Sequence, residues 1–389
     1  MHVHSARAWD ERFFARFSDL RNSFYEGEPW FLGESLEELR KVFHPLSPFA
    51  ELLTWEALLV TEGPSLDSRP LGRLIVSANR KATSPALSCG WFECTPDTAV
   101  AQALFARAEQ RAREWGCRVM KTPLQAHFFL SYRIKLPGGG APFYGEPIYK
   151  DYYHRLFADC GFAATDTWDT TLLDTPKTYA NFRSIKDAVG KRSRHSKKVR
   201  VRYIRLHDWE RELRTVHDLF VRSYSCMPEY EPIPFEAFRV LYDDFRYFAH
   251  PFASYIVEYG DEPVGFCICY FDPLHVLRAR AERTRQLGFL PSKVRGRLVD
   301  LESIVRQRLN TKRLLISYVG RITPSDGSEV KGIQARVSRR IWLLLRLARP
   351  EEVLVTYTAR RSESRKSFND EYRTLVSQYV LYGKEVASS

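Results

Sequence analysis

Apolar residues recur at helical spacing between positions 97 and 115. Val100, Leu104, Phe105 and Ala108 share one face there, and Gly116 ends the run. The same period returns over 209–224, through Leu213, Val216, Leu219 and Phe220. Residues 8–43 are helical in pattern, broken at Gly27 and Pro29. Residues 51–61 and 69–79 predict two strands joined by a turn that holds Gly63, Pro64 and Asp67. Strands follow at 87–94, 118–122 and 166–173, and a helix at 149–160 stops at Gly161.

Past residue 202 a similar order restarts. A second helix follows Pro232 and Pro234. Residues 253–259 and 263–271 form a hairpin signature around Gly260. Residues 280–309 predict a basic, mainly helical insertion. Then come a strand (312–321), a long helix (330–348), a strand (352–358), a helix (362–376) and a closing strand (379–383). Both halves thus read helix, helix, hairpin, strand, helix, strand, helix, strand, a duplication at domain scale. The order places each half in the α/β or α+β class. It divides the chain into residues 1–174, a basic connection 175–202, and residues 203–389.

Length supports that division: 389 residues is natural for two domains. The formal net charge of +12 favours anionic partners, among them nucleic acid, a phosphorylated cofactor or an acidic protein. The connection carries Lys186, Lys191, Arg192, Arg194, His195, Lys197, Lys198, Arg200 and Arg202. No aromatic residues interleave them as a nucleic-acid groove requires, so a solvated face is expected and nucleic acid is not. Seven cysteines without a C-x-x-C pair predict buried thiols in a reducing cytosol and no metal site. No secretion signal is visible at the start. In the second half the longest apolar run, 341–345, is too short to span a bilayer, so a cytoplasmic protein is expected.

Several segments carry a resemblance. In the first half they are LGRLIVSANR from Leu71, GWFEC from Gly90 and PIYKDYYHRLFADCGF from Pro147. In the second they are DEPVGFCICYFDP from Asp261 and LLISYVGRITPSDGSEVKGIQARV from Leu314. In this order they resemble a bacterial tandem family of the GNAT superfamily of N-acyltransferases. The resemblance implies two tandem GNAT-like domains, each a mixed central sheet flanked by helices. It implies acyl transfer from a thioester, acyl-CoA or acyl-phosphopantetheine on a carrier protein, to an amine of a small molecule or peptide, in specialised metabolism.

Such chemistry needs an anion cradle, an oxyanion donor and a proton for the leaving thiolate. The loop 323–334 lies between a strand and a helix N-terminus, where free N–H groups and the helix dipole favour phosphate. Gly327 and Gly332 allow close backbone approach. The expected donor-binding set is Val319, Arg321, Gly327, Ser328, Lys331, Gly332, Ile333, Gln334 and Ala335. The resemblance makes the Val319 N–H the oxyanion donor and Tyr372, on the helix 362–376, the acid. Glu229, Glu231, His217, Asp272 and His275 are available as base. Glu329 and Gln334 depart from the family's loop pattern, so a catalytically inactive binding or regulatory protein is the alternative. In the first half the corresponding loop is Thr95-Pro96-Asp97-Thr98, which lacks a glycine cradle. That half is expected to be a scaffold walling the acceptor cleft.

Overall fold

The structure is a computed structural model that describes all residues except 83–84, 178–197, 226, 228–229, 251, 290, 328–332, 361–369 and 388–389. The first helices are α1 (Glu11–Phe24) and α2 (Leu36–Phe43). Asp10 caps α1 by accepting from the Phe13 N–H at 3.0 Å, and Ser35 caps α2. Phe13, Phe14, Phe17 and Leu20 form the buried face of α1. The helix α3 (Thr98–Glu114) matches its periodic pattern closely, and α4 (Tyr153–Asp159) is shorter than its own. In the second half stand α5 (Trp209–Tyr224), α6 (Phe235–Tyr242), α7 (Phe245–Phe248), α8 (Leu274–Gln286), α9 (Ser292–Leu309) and α10 (Ile333–Ala348).

The strands are β1 (His2–Ala6), β2 (Leu53–Thr61), β3 (Pro70–Asn79), β4 (Leu87–Cys94), β5 (Val119–Thr122), β6 (Ile134–Lys135) and β7 (Ala163–Leu173), then β8 (Val199–Tyr203), β9 (Tyr255–Tyr259), β10 (Glu262–Phe271), β11 (Arg313–Arg321), β12 (Glu352–Ala359) and β13 (Arg373–Glu385). They form one 13-stranded sheet in the order β1-β2-β3-β4-β5-β13-β7-β12-β11-β10-β9-β8, with β6 on β13. The pairs β4–β5 and β11–β12 are parallel. The final strand β13 lies between β5 and β7, and β7 in turn pairs with β12. Each half therefore receives the other's closing strand.

Several elements differ from the sequence expectation. Residues 362–376 do not form one helix: Asp370–Tyr372 is a short 3-10 turn and β13 begins at Arg373, while 361–369 lie outside the described residues. Pairing with β7 from Arg373↔Leu173 to Gly383↔Ala163 outweighs the local helical spacing. The strand β8 falls inside the expected connection, most of which (178–197) lies outside the described residues. The polar strand β1 was not expected and follows from pairing with β2.

Side chains alternate across the sheet and build two kinds of core. On one face, Leu58, Val60, Phe92 and Cys94 pack with α3 and α4, while Cys267, Leu314 and Ile316 pack with α10. On the other face a single cluster joins both halves. It runs from Phe14 and Phe43 through Phe128, Phe129 and Tyr132 to Phe220, Phe238 and Phe266. Phe128, Phe129 and Tyr132 belong to the link between β5 and β6, so a segment of the first half is lodged against helices of the second.

Candidate active site

The parallel strands β11 and β12 pair from Arg313↔Glu352 to Ile316↔Val355 and then part. Beyond that point β12 continues on β7, and β11 continues on β10. Ser317 is the extra residue of a bulge opposite Ile268 and Cys269. At the crotch the Thr356 hydroxyl donates to the Ser317 hydroxyl at 3.2 Å. Beyond it, the Ile322 N–H donates to the Val264 carbonyl at 2.9 Å. Antiparallel ladders alternate bonded and non-bonded pairs. The peptide groups of Val319 and Arg321, opposite Cys267 and Gly265, therefore turn away from β10 toward the opened gap. Val319 is 44% exposed, and its carbonyl accepts from the Tyr224 phenol at 3.3 Å.

The expected site residues separate in space. Val319 and Arg321 hold the open edge of β11. Gly327 has φ +72 in the loop that follows, where Ser325 donates through its N–H and hydroxyl to Glu262. Ser328, Lys331 and Gly332, with Glu329, lie outside the described residues. Ile333 opens α10, half-buried against the sheet. Gln334 and Ala335 follow on that helix, with side chains outside the described set. Tyr372 is not brought to Val319. It precedes Arg373, whose partner Leu173 lies at the level of Val353 and Leu314, five residues down β11 from Val319 and across β12 and β7. Strand rise and spacing put the two about 20 Å apart.

Of the candidate bases, His217 Nε2 bonds the Ile233 carbonyl at 2.7 Å between the rings of Phe235 and Phe238. Asp272 accepts from the N–H groups of Leu274 and Tyr144, both at 3.0 Å, and burial raises its pKa. Burial lowers the pKa of neighbouring His275. Glu231 accepts from Asn79 at 2.7 Å, and Glu229 lies outside the described residues. The contacts of His217, Asp272 and Glu231 are structural ones.

The gap is lined by groups the sequence did not single out. Burial pushes the phenols of Tyr224, Tyr270 and Tyr318 above the usual tyrosine range, although the Arg133 guanidinium pulls Tyr318 back. Arg133 enters from the segment before β6. It is 8% exposed, and its guanidinium carbon lies 3.9 Å from the Tyr132 ring centroid, 4.1 Å from Tyr357 and 4.9 Å from Trp168. Each ring contributes about 0.5–2 kcal/mol to holding the cation. Tyr224 was legible in part, being one turn beyond Phe220 on the apolar face of α5. Arg133 had no local signal, because its cage comes from three separate segments.

The equivalent gap in the first half is occupied by the chain itself. The strands β4 and β5 pair only at Leu87↔Met120 and Ser88↔Lys121. Leu124 then donates its N–H to the Cys89 carbonyl at 3.2 Å. A Cβ on Gly90 would lie 2.5 Å from the Leu124 carbonyl oxygen and 2.6 Å from Gln125 Cα. Tyr153 accepts from the Cys94 N–H at 3.1 Å, and Tyr152 donates to the Cys94 carbonyl at 2.6 Å. The Asp97 carboxylate caps α3 by accepting from the Ala99 N–H at 2.9 Å. Glu93 is fully buried, bonded by Arg21, by Tyr25 at 3.1 Å and by Tyr153 at 2.7 Å.

Among the described residues no group of three or more His, Cys, Asp or Glu could hold a metal ion, and no helix is long and apolar enough to cross a membrane. No protein-family model matches the chain, and no curated protein does. Solved structures do match. A tandem GNAT protein from the clavulanic acid biosynthesis pathway is 12% identical, over 100% of this chain and 99% of its own, with a TM-score of 0.50. A GCN5-related N-acetyltransferase from Anabaena variabilis is 11% identical over 99% of this chain and 73% of its own, with a TM-score of 0.51. A conserved Enterococcus faecalis protein described as a probable N-acyltransferase is 7% identical over 99% and 73%, with a TM-score of 0.50. At these identities the likeness is one of fold. With one parted parallel strand pair in each half of a continuous mixed sheet, this chain has the tandem GNAT fold.

Proposed function

We propose that the protein is an N-acyltransferase that moves an acyl group from a thioester to an amine, with its donor site in the second half. One contrast carries the reading. The gap between β11 and β12 presents the Val319 and Arg321 peptide edge, whereas the gap between β4 and β5 is filled by residues 123–125 and by Tyr152 and Tyr153. We accordingly treat residues 1–174 as scaffold, 175–202 as connection and 203–389 as the donor-binding domain.

In this reading the amides of the pantetheine arm pair with the free edge of β11. The pyrophosphate rests at the N-terminus of α10, among Arg321, Gly327, Ser328, Lys331, Gly332, Ile333, Gln334 and Ala335. The amine attacks the thioester carbonyl, and the Val319 N–H donates to the developing oxyanion. Tyr224, whose raised pKa keeps it protonated at neutral pH, gives its proton to the departing thiolate. It replaces Tyr372 in that role because it already touches Val319. The amine proton leaves to water. We take acyl-CoA or an acyl carrier protein as the donor and a small molecule or peptide of specialised metabolism as the acceptor. Arginines along α8 and α9, together with the exposed Val294, Leu298, Leu301 and Val305, suit an acidic carrier.

The second reading, an inactive binding protein, is favoured by the Glu262 carboxylate held against Ser325 beside the phosphate position. The test is calorimetric binding of acetyl-CoA together with thiol release over a panel of amines. Binding with turnover supports the transferase. Binding without turnover selects the second reading, and absence of both from acetyl-CoA and from an acetylated carrier protein overturns the first.

A further inference from the structure

We infer that Arg133 receives a carboxylate carried by the amine acceptor. Arg133 is more than nine-tenths buried, yet among the described residues its Nη1 has no hydrogen-bond partner and no carboxylate forms an ion pair with it. A buried cation without an anion is costly, and proteins ordinarily supply a counter-charge. Here the carboxylates around the cage are engaged elsewhere. Glu146 is held by Lys135 at 3.2 Å and by the Tyr379 phenol, and Asp169 is held by Arg360 at 3.1 Å and Gln378 at 3.3 Å. Aromatic faces fix the guanidinium in place of an anion, through Tyr132, Trp168 and Tyr357. The buried Trp168 Nε1, on one of those rings, is a second donor without a partner among the described residues.

The position selects the ligand. Tyr357 follows Val355, the last β12 residue paired with β11, and the Arg133 charge is felt at Tyr318, two residues beyond Ile316 on the other strand. Arg133 thus stands over β12, just past the point where the strands part. Tyr318, Tyr270 and Tyr357 belong with the cluster formed by α5 and α6, opposite the face that carries α10. A donor phosphate at α10 would occupy that opposite face, which leaves this one to the acceptor. A planar fork with open donors matches a carboxylate, taken in two parallel hydrogen bonds.

Naming the ligand an acceptor rests on the acyltransferase reading, so the experiment separates the two. Acetyl transfer and calorimetric binding are measured with ω-amino carboxylates from glycine to 6-aminohexanoate and with the matching alkylamines. The best amino carboxylate is expected to exceed its alkylamine by about 10- to 100-fold in kcat/KM or affinity. Arg133→Gln abolishes that preference, and Arg133→Lys restores part of it. Loss of a preference in binding in Arg133→Gln, without turnover in any variant, supports the anion site and removes the transferase. Turnover with no carboxylate preference in wild type overturns the inference and leaves the transferase intact; this arm holds even if Arg133→Gln does not fold. A preference that follows succinyl-CoA over butyryl-CoA instead of the acceptor also overturns it.

Discussion

The Tyr224 phenol donates to the Val319 carbonyl at 3.3 Å, joining the end of helix α5 to the open edge of β11 across 95 residues of sequence. Helix and strand meet at the point where β11 has lost its parallel neighbour. The contact places a protonated phenol beside the peptide expected to meet the thioester.

That contact separates two tyrosines. Tyr224→Phe is expected to lower kcat by about 10²-fold with little change in KM, as loss of a general acid does. Tyr372→Phe is expected to leave kcat within about twofold, since strand geometry sets it about 20 Å away. Steady-state kinetics on both variants decide it, and the reverse ranking would restore Tyr372.

The filled gap of the first half is testable through stability. Gly90→Ala places a Cβ 2.5 Å from the Leu124 carbonyl oxygen, and backbone on both sides resists adjustment. A loss of about 1–3 kcal/mol is expected by urea unfolding. An unchanged midpoint would mean that residues 123–125 can leave the gap.

His127 anchors the inserted link and makes stability depend on pH. Burial pushes its pKa down to about 4, against a smaller opposing pull from the Pro232 carbonyl. The folded state therefore keeps the ring neutral, while the unfolded chain protonates near 6.5. Stability is full above pH 6.5 and falls by about 3 kcal/mol as pH drops toward 4. In His127→Asn that part of the slope disappears, which parallel unfolding curves at pH 7 and 5 measure.

The arginines of α9 offer a test of donor type. Arg295→Glu with Arg297→Glu is expected to raise KM for an acyl carrier protein about tenfold or more and to leave KM for acyl-CoA unchanged. Adding Arg306→Glu also breaks its pair with Glu302. Equal kinetics with the carrier protein would locate its docking elsewhere.

Local pattern was enough for much of the architecture. α5 carries its 3.6-residue period over residues 209–224, and the hairpin of β9 and β10 shows its turn at Gly260. Asp97 sits where a cap belongs before α3. The duplication is legible in the order of hairpin, strand, helix and strand that both halves share. Residues 362–376 misled, since Arg373, Thr374 and Leu375 owe their strand to registered partners about 200 positions earlier in β7.

The sequence by itself determined most of the elements, the mixed α/β class and the loop candidate around Gly327, because helical and strand periods, caps and turn residues act within a few positions. Tertiary structure alone decided that the closing strands β7 and β13 cross between the halves, that Tyr224 rather than Tyr372 touches Val319, and that Arg133 stands buried with no counter-ion among the described residues. These relationships depend on sheet order and on a cage drawn from Tyr132, Trp168 and Tyr357. Their energies come from contacts between residues tens to hundreds of positions apart, which leave no periodic trace in the chain.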